Sequence, residues 1–252
     1  MIDMSADGSV ATGRGESSTG FEAFVWDAVN GLRGLGDLPG GQTLSEPYAI
    51  STDGSTVVGY GYSDLGPEAF VWNEAGGLLG LGDLEGGEFA SIATAVSADG
   101  SIVVGFSATG FGSEPFIWDP VRGMQRLGER PGRLTSRRPT AISDDGSIVV
   151  GVDYTARTGD QAVIWDATGQ MQSLDILLRS LGVDMTGWKL SQAVDVSADG
   201  RTIVGYGINP SGAQEAWIAI IPEPATSSLL GIGLTLLGAR RVSIRPNRAP
   251  RT

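Results

Sequence analysis

The same phrase occurs five times in this chain, and its regular spacing restricts the fold more than any other feature of the sequence. Each copy opens with an Asp-Gly pair, continues with a β-branched run that contains Gly, and later has an apolar run that contains Trp. Successive Asp-Gly pairs are 46, 46, 46 and 54 residues apart. A period of this length is typical of repeat architectures, in which each unit buries its apolar face against its neighbours. The pairs begin at Asp7, Asp53, Asp99, Asp145 and Asp199.

We interpret these five aspartates as turn residues. Asp-Gly between two apolar runs is a strong hairpin signal, and an Asp side chain readily bonds to its own backbone. A Ca²⁺ loop is the alternative, but calcium needs several oxygen ligands from one tight segment. Each turn offers only one or two carboxylates. We therefore predict structural turns, with no metal and no cofactor.

A tryptophan follows each Asp-Gly pair after 18 to 20 residues. These residues lie in apolar runs, so we expect all five to occupy one equivalent, buried position between neighbouring repeats. Stacking of the indoles on a sugar is the alternative, since aromatic faces can lie open to a ligand. The five residues are Trp26, Trp72, Trp118, Trp165 and Trp217.

Each unit is predicted to contain four short strands. In the third copy the runs at 94–97, 102–106, 114–118 and 124–127 are separated by turn residues, and none reaches helical length. The chain is therefore predicted to be all-β, a β-propeller-like array of five four-stranded repeats with the last one incomplete. A β-solenoid is the alternative. Within the repeats, a helix is expected only at 175–182.

The composition excludes several kinds of chemistry. Cysteine and histidine are absent, which removes disulfides, zinc sites built on Cys or His, and Ser-His or Cys-His nucleophile pairs. The net charge is −12, and five arginines follow residue 239, so residues 1–239 stand at −17. Such an acidic body repels phosphate, and no nucleic-acid partner is expected. No catalytic residue is predicted, because acid pairs such as Asp64 with Glu68 and Asp153 with Asp160 are interpreted as solvated loop charges.

Two phrases carry a resemblance to a known repeat. Residues 22–26, Glu-Ala-Phe-Val-Trp, recur unchanged at 68–72, and residues 35–41, Leu-Gly-Asp-Leu-Pro-Gly-Gly, recur with one change at 81–87. Over about residues 1–221 the units resemble the HAF repeat of predicted extracellular bacterial proteins. The resemblance implies an exported, β-rich and propeller-like protein, and it implies no known chemistry.

The C-terminal part carries a second resemblance. Pro222, Glu223 and Pro224 precede an uncharged apolar stretch at 225–239, and Arg240 and Arg241 follow it. This order is similar to the PEP-CTERM sorting signal of Gram-negative bacteria, which implies a membrane helix and an exosortase-type processing enzyme. The stretch is shorter than the roughly 20 residues that usually cross a bilayer, so a buried helix of the domain is the alternative. Arginines after a membrane span favour a cytoplasmic end, which would leave the repeats outside.

These patterns divide the chain into a repeat domain at 1–221, a sorting signal with a membrane helix at 222–241, and a basic tail at 242–252. The predicted units are about 1–47, 48–93, 94–139, 140–192 and 193–221. No signal peptide is recognisable, because the first residues already match the middle of a repeat. We therefore expect that the start is mis-assigned or that the chain is a fragment of a longer protein, and a protein that begins at Met1 is the alternative.

The expected function is non-enzymatic. The chain is interpreted as an exported protein of the cell surface or extracellular matrix, anchored in the membrane or released, with a structural or adhesive role. A link to exopolysaccharide and biofilm is implied only by the sorting resemblance. The alternatives are a carbohydrate-active hydrolase or lyase, or a glycan-binding lectin, on the same scaffold. An acid cluster that breaks the repeat symmetry would favour the enzyme, and uniform equivalence of the charged positions would favour the structural role.

Overall fold

The computed structural model describes residues 3–128, 136–155 and 159–222, which form five antiparallel sheets and one short helix. Sheet 1 contains β1 (Asp3–Met4), β2 (Val10–Glu16), β3 (Phe21–Asp27) and β4 (Gly31–Gly34). Sheet 2 contains β5 (Gly40–Ile50), β6 (Thr56–Ser63), β7 (Gly66–Asn73) and β8 (Gly77–Gly80). Sheet 3 contains β9 (Ser91–Val96), β10 (Val103–Thr109), β11 (Gly112–Asp119) and β12 (Gly123–Arg126). Sheet 4 contains β13 (Ser136–Ile142), β14 (Val149–Thr155), β15 (Gly159–Trp165) and β16 (Met171–Ser173), and sheet 5 contains β17 (Lys189–Val196), β18 (Thr202–Ile208) and β19 (Gln214–Ile220).

Within each sheet the strands pair in chain order, first with second, second with third, and third with fourth. This confirms the prediction of a β-rich fold built from repeated four-stranded sheets. Sheets 1 and 2 are also joined by one parallel pair, Phe21 with Leu44. Among the described residues sheet 5 has three strands, as the sequence predicts for the last unit. The first strands begin earlier than the repeat phrase indicates, so residues 48, 94, 140 and 193 lie inside them.

The first strand of each sheet is its innermost strand. First strands of successive sheets contact one another, from β1 and β5 to β13 and β17. The turns that follow these strands are also linked from sheet to sheet by backbone hydrogen bonds. The donors and acceptors are Ala6 N–H to Thr52 O (3.0 Å), Asp53 N–H to Ala98 O (3.3 Å), Ala98 N–H to Asp144 O (3.1 Å) and Asp144 N–H to Ala198 O (3.1 Å). All five Asp-Gly turns therefore lie along one edge of the array.

Glycine interrupts the β-branched run of the second strand because the backbone of the inner strand lies too close to admit a Cβ at this position. A Cβ on Gly105 would collide with the carbonyl oxygen of Ile92 and lie 2.7 Å from the ring of Phe116. Such a position admits only glycine. Glycine inside a strand often marks a bulge or the close approach of another backbone. The same collision with an inner-strand carbonyl occurs at Gly59, Gly151 and Gly205.

The inner strands of sheets 2 to 5 carry a β-bulge at this point, with one extra residue that has no partner on the second strand. In sheet 3 that residue is Thr94, whose hydroxyl donates to the carbonyl oxygen of Pro139 in the next sheet at 3.0 Å. Thr140 does the same to Ala193 at 2.9 Å. The bulge thus ties successive inner strands together. The four bulge residues are Tyr48, Thr94, Thr140 and Val194.

The core lies between the sheets. Four apolar clusters each join two successive sheets. In the first cluster the aromatic residues Phe70 and Trp72 of sheet 2 pack with Ala23 and Val25 of sheet 1. In sheets 2 to 5 an aromatic face packs on the preceding sheet, and in sheets 1 to 4 an aliphatic face receives the following one.

The expectation that all five tryptophans are equivalent is wrong for Trp217. In sheets 1 to 3 a phenylalanine lies opposite the second-strand glycine, as Phe116 does opposite Gly105, and the tryptophan comes two residues later. In sheet 5 Trp217 itself lies opposite Gly205, and Ala219 takes the tryptophan position. The side chain still points to the same face, because two residues along a strand restore the direction.

The expectation of burial is wrong for Trp26. Trp165 is fully buried and Trp217 is 3% exposed, Trp72 and Trp118 are half-buried, and Trp26 is 42% exposed. The physical reason is its place in the array, since among the described residues no sheet precedes sheet 1 to cover its aromatic face. The opposite end is open as well, with Ile218 36% and Ile220 52% exposed on the aliphatic face of sheet 5.

The expansion of the fourth unit forms the helix α1 (Leu174–Ser180), close to the predicted range. Leu174 and Leu178 are buried in the cluster between sheets 4 and 5, whereas Leu181 is 39% exposed. Within the described ranges, no helix has the length and apolar character that a membrane crossing requires. The predicted membrane segment at 225–239 lies outside the described residues.

The position of each tryptophan in the array predicts different stability effects for the same substitution. Trp165→Ala should lower the free energy of unfolding by about 3–5 kcal/mol, because it empties a fully buried site. Trp26→Ala should cost less than about 1 kcal/mol, because its side chain is already half exposed. Urea denaturation of the two variants and the unmodified chain measures both values. Equal losses would contradict the assignment of open and covered aromatic faces.

Candidate functional site

The repeated aspartates all perform the same task in their turns. In sheet 3 the hydroxyl of Ser97 donates to Asp99 Oδ1 at 2.8 Å, and the same oxygen accepts the backbone N–H of Ser101 at 3.0 Å. Ser97 Oγ in turn accepts the N–H of Ile102 at 3.0 Å, which closes the turn. Gly100 has a φ of +72°, a left-handed conformation that glycine adopts without strain. Corresponding bonds hold the turns of Asp7, Asp53, Asp145 and Asp199.

These bonds stabilise the ionised carboxylates. The backbone N–H of Ser9, followed by the hydroxyls of Ser9 and Ser5, lowers the pKa of Asp7 from 3.8 to about 2. The pKa of Asp99 is lowered first by the N–H of Ser101. At Asp53 partial burial is the largest influence and raises the pKa, but the hydrogen bonds outweigh it and the net shift is downward. Donors to a carboxylate favour its charged form, so these groups are poor proton donors near neutral pH.

A second set of repeated carboxylates anchors the Leu-Gly-Asp-Leu phrases. Glu22 Oε1 accepts the N–H of Gly36 at 2.7 Å, and Glu68 Oε1 accepts that of Gly82 at 2.9 Å. A serine from the next inner strand completes each anchor, since Ser91 Oγ accepts the N–H of Ala69 at 2.9 Å and donates to the carbonyl oxygen of Gly82. These serines were not among the residues predicted from the sequence. Their 46-residue spacing, Ser45 to Ser91, was the available signal.

The repeat symmetry breaks at a cleft of about 1090 Å³ between sheets 3 and 4. Arg137 stands where Ser45 and Ser91 stand in the earlier copies, and its Nε lies 3.6 Å from Asp153 Oδ1. Arg126 Nε bonds to the buried Glu114 in the same region. Arg126 and Arg137 of this cleft each face a carboxylate, and Asp145 and Asp166 accept hydrogen bonds from their own turns. Residues 129–135, which connect its two sides along the chain, lie outside the described residues.

A second candidate surface lies on β2 and β3 of sheet 1 and on β5 and β6 of sheet 2. We call it the tyrosine surface, and it consists of Arg14, Phe21, Glu46, Tyr48, Tyr60 and Tyr62. The rings of Tyr48 and Tyr60 are stacked, with centroids 5.9 Å apart and planes 21° apart, and Tyr62 lies 6.2 Å from Tyr60. Arg14 bonds to Glu46 at 2.7 Å and lies over the Phe21 ring at 4.9 Å. Burial, followed by the Glu46 carboxylate, raises the pKa of Tyr48, so its phenol is neutral at physiological pH.

The remaining candidate residues are not brought into a catalytic arrangement. Glu68 bonds to Gly82, and Asp153 faces Arg137, so one acid of each candidate pair has a structural partner. In the part of the chain that the structure describes, no three Asp, Glu, His or Cys residues form a group that could hold a metal ion. Of the predicted sorting residues, Pro222 is exposed at the end of the described chain. Glu223, Pro224, Arg240 and Arg241 lie outside the described residues.

Comparison with known proteins supports the fold alone. No protein-family model matches the chain, and no curated protein matches it. The solved structure of TolB from Acinetobacter baumannii is similar with a TM-score of 0.55 and 15% identity, over 87% of this chain and 51% of that one. A putative TolB from Agrobacterium tumefaciens is similar with a TM-score of 0.56 and 14% identity, over 87% of this chain and 76% of that one. A prolyl endopeptidase is similar with a TM-score of 0.56 and 14% identity, over 90% of this chain and 35% of that one. The chain thus spans about half the length of the Acinetobacter protein, and its fold is β-rich and propeller-like.

The lowered pKa of Asp7 predicts how stability depends on pH. A carboxyl whose pKa is lower in the folded state stabilises the fold fully above its unfolded pKa, here about 3.8, and this contribution is lost as the pH falls toward about 2. Asp7→Asn should therefore have a lower Tm than the unmodified chain at about pH 5, and the difference should shrink toward pH 2. Thermal melting followed by circular dichroism measures it.

The matched control is Asp64→Asn, an exposed aspartate in the hairpin loop between β6 and β7. Its Tm should differ little from that of the unmodified chain. A Tm difference for Asp7→Asn that is constant from about pH 5 to 2 would show that the carboxylate does not stabilise its turn.

Proposed function

We propose that this chain is an exported, non-enzymatic repeat protein of the bacterial cell surface or matrix, with a structural or adhesive role. The observation that carries the proposal is the uniform use of the repeated carboxylates. The Asp of each turn and the Glu of the first two apolar phrases accept hydrogen bonds from the backbone that they hold. A scaffold needs this use of charge, whereas a hydrolase needs two carboxylates left free across a cleft.

The sorting part of the proposal rests on the sequence order after the last strand. Pro222, the first residue of the motif, is exposed and comes two residues after the end of the last strand, so the motif begins outside sheet 5. The apolar stretch at 225–239 would enter the membrane, and Arg240 and Arg241 would stay on its cytoplasmic side. The partners proposed are therefore the membrane and an exosortase-type processing enzyme, with exopolysaccharide as the surrounding material.

The same scaffold supports a glycan-binding role better than a hydrolytic one. The tyrosine surface is a specific feature that a lectin could use, whereas the carboxylates Glu114, Asp145, Asp153 and Asp166 at the cleft between sheets 3 and 4 face arginines or accept bonds from their own turns. Adhesion through a glycan is thus the more specific form of the proposed surface role.

The sorting proposal is tested by replacing the motif. The full chain, with a secretion leader supplied upstream, is expressed in a Gram-negative host that carries an exosortase. The unmodified chain should be cut near the motif and recovered outside the inner membrane. The Pro222→Ala/Glu223→Ala/Pro224→Ala variant should keep its full mass and remain in the inner-membrane fraction. Cell fractionation followed by mass spectrometry measures both.

Pro120→Ala is the control, because Pro120 is an exposed proline of the repeat domain. It should be sorted and cut as the unmodified chain is. Retention of the unmodified chain in the cytoplasm, or normal sorting of the triple variant, would contradict the proposal.

A further inference from the structure

We propose that the tyrosine surface binds a neutral glycan, with one pyranose ring stacked on Tyr48 and its hydroxyl groups bonded to Arg14 and Glu46. The repeat pattern does not account for Tyr48, which stands where Thr94 and Thr140 stand in the next two sheets. The surface lies on β2 and β3 of sheet 1 and on β5 and β6 of sheet 2, apart from the cleft between sheets 3 and 4.

At Tyr48 the scaffold lacks the hydrogen bond to the following inner strand that the corresponding residues of sheets 3 and 4 make. Tyr48 is the bulge residue of sheet 2, and the bulge residues Thr94 and Thr140 of the next two sheets bond to the following inner strand. Among the described residues the Tyr48 hydroxyl has no corresponding bond, and the side chain is 48% exposed. Bulges redirect side chains and are common beside binding sites. A large, half-exposed aromatic residue in place of a bonding threonine therefore indicates a role outside the scaffold.

The aromatic residues form one platform rather than scattered contacts. Tyr48 stacks on Tyr60, and Tyr62 packs at a tilt on Tyr60. The Tyr48 ring is therefore held in place by the Tyr60 ring. Phe21 is 46% exposed on the neighbouring sheet, and Arg14 covers its ring. A fixed ring loses little entropy when a ligand stacks on it. The negative face of an aromatic ring attracts the partly positive C–H groups that line one side of a pyranose.

The ion pair beside the platform favours hydroxyl groups. The Arg14 and Glu46 side chains are 42% and 29% exposed, so both have capacity left for a ligand. A guanidinium only donates and a carboxylate only accepts, so together they match neighbouring hydroxyls, each of which can do both. The two charges cancel, and the body around them is strongly acidic, which repels polyanions. These features favour a neutral glycan over an acidic polysaccharide.

An extended proline-rich peptide is the rival ligand, because such peptides also dock on aromatic grooves. The Arg14–Glu46 pair favours the glycan, since it offers paired donors and acceptors rather than an apolar slot. This inference gives a ligand class to the proposed surface role and rests on that role only for its biological setting. A binding test with purified protein can therefore fail while the sorting test succeeds, and the reverse.

The experiment is calorimetric titration of the full chain, held in a detergent without a sugar headgroup. The probes are cellohexaose, maltohexaose and laminarihexaose as neutral glycans, an alginate hexamer as an acidic one, and decaproline. We expect at least one neutral hexasaccharide to bind with a Kd below about 1 mM. Tyr48→Ala should weaken that binding about tenfold, as loss of a central aromatic anchor does. Tyr48→Phe should retain it, because the ring remains.

Tyr206→Ala is the matched control, since Tyr206 is a 37% exposed tyrosine on the second strand of sheet 5, where Tyr60 lies in sheet 2. It should bind the glycan as the unmodified chain does. Circular dichroism should show the same melting for Tyr48→Ala and Tyr48→Phe, which separates lost binding from lost folding. The inference is overturned if no neutral hexasaccharide binds at about 10 mM, if Tyr48→Ala binds as well as the unmodified chain, or if alginate or decaproline is preferred.

Discussion

The structure depends on the packing of one aromatic face against one aliphatic face, repeated from sheet to sheet. Phe70 and Trp72 of sheet 2 lie on Val25 of sheet 1, and the later sheets repeat the arrangement. Large aromatic side chains supply much of the buried apolar area of such a core. The glycine of each second strand makes this packing possible, because it lets the bulged inner strand and the aromatic ring approach the backbone closely. A larger residue in place of this glycine would push apart the layers that form the core.

A core of this kind forms only between sheets that are next to each other, as in other repeat proteins. It explains why one residue type has different environments in one chain. Trp165 is enclosed because sheet 3 precedes its sheet, and Trp26 is open because no described sheet precedes sheet 1. The backbone bonds that link successive Asp-Gly turns add a second connection along the array. Together they fix the order of the sheets without disulfides, which this chain cannot form.

The same logic separates structural charge from functional candidates. A residue that recurs at each period and bonds to its own turn or loop, as Asp99 does, is accounted for by the scaffold. Departures from the period need another explanation. Arg137 is explained by its carboxylate partner, Asp153. Tyr48 has no such explanation within the scaffold, and its stacking and exposure distinguish it from the bulge threonines.

The sequence alone determined the repeat, the β-rich fold, the incomplete fifth sheet among the described residues and the turn role expected of the aspartates. These features are local, because an Asp-Gly turn and a β-branched run are recognisable within ten residues. Only the tertiary structure decided which positions are equivalent and which are covered. Trp217 lies 18 residues after its Asp-Gly pair, yet register against Gly205 places it where phenylalanine lies in sheets 1 to 3. The tyrosine surface was likewise invisible, because Arg14, Phe21 and Tyr48 come from different strands that only the packing of sheet 1 on sheet 2 brings together.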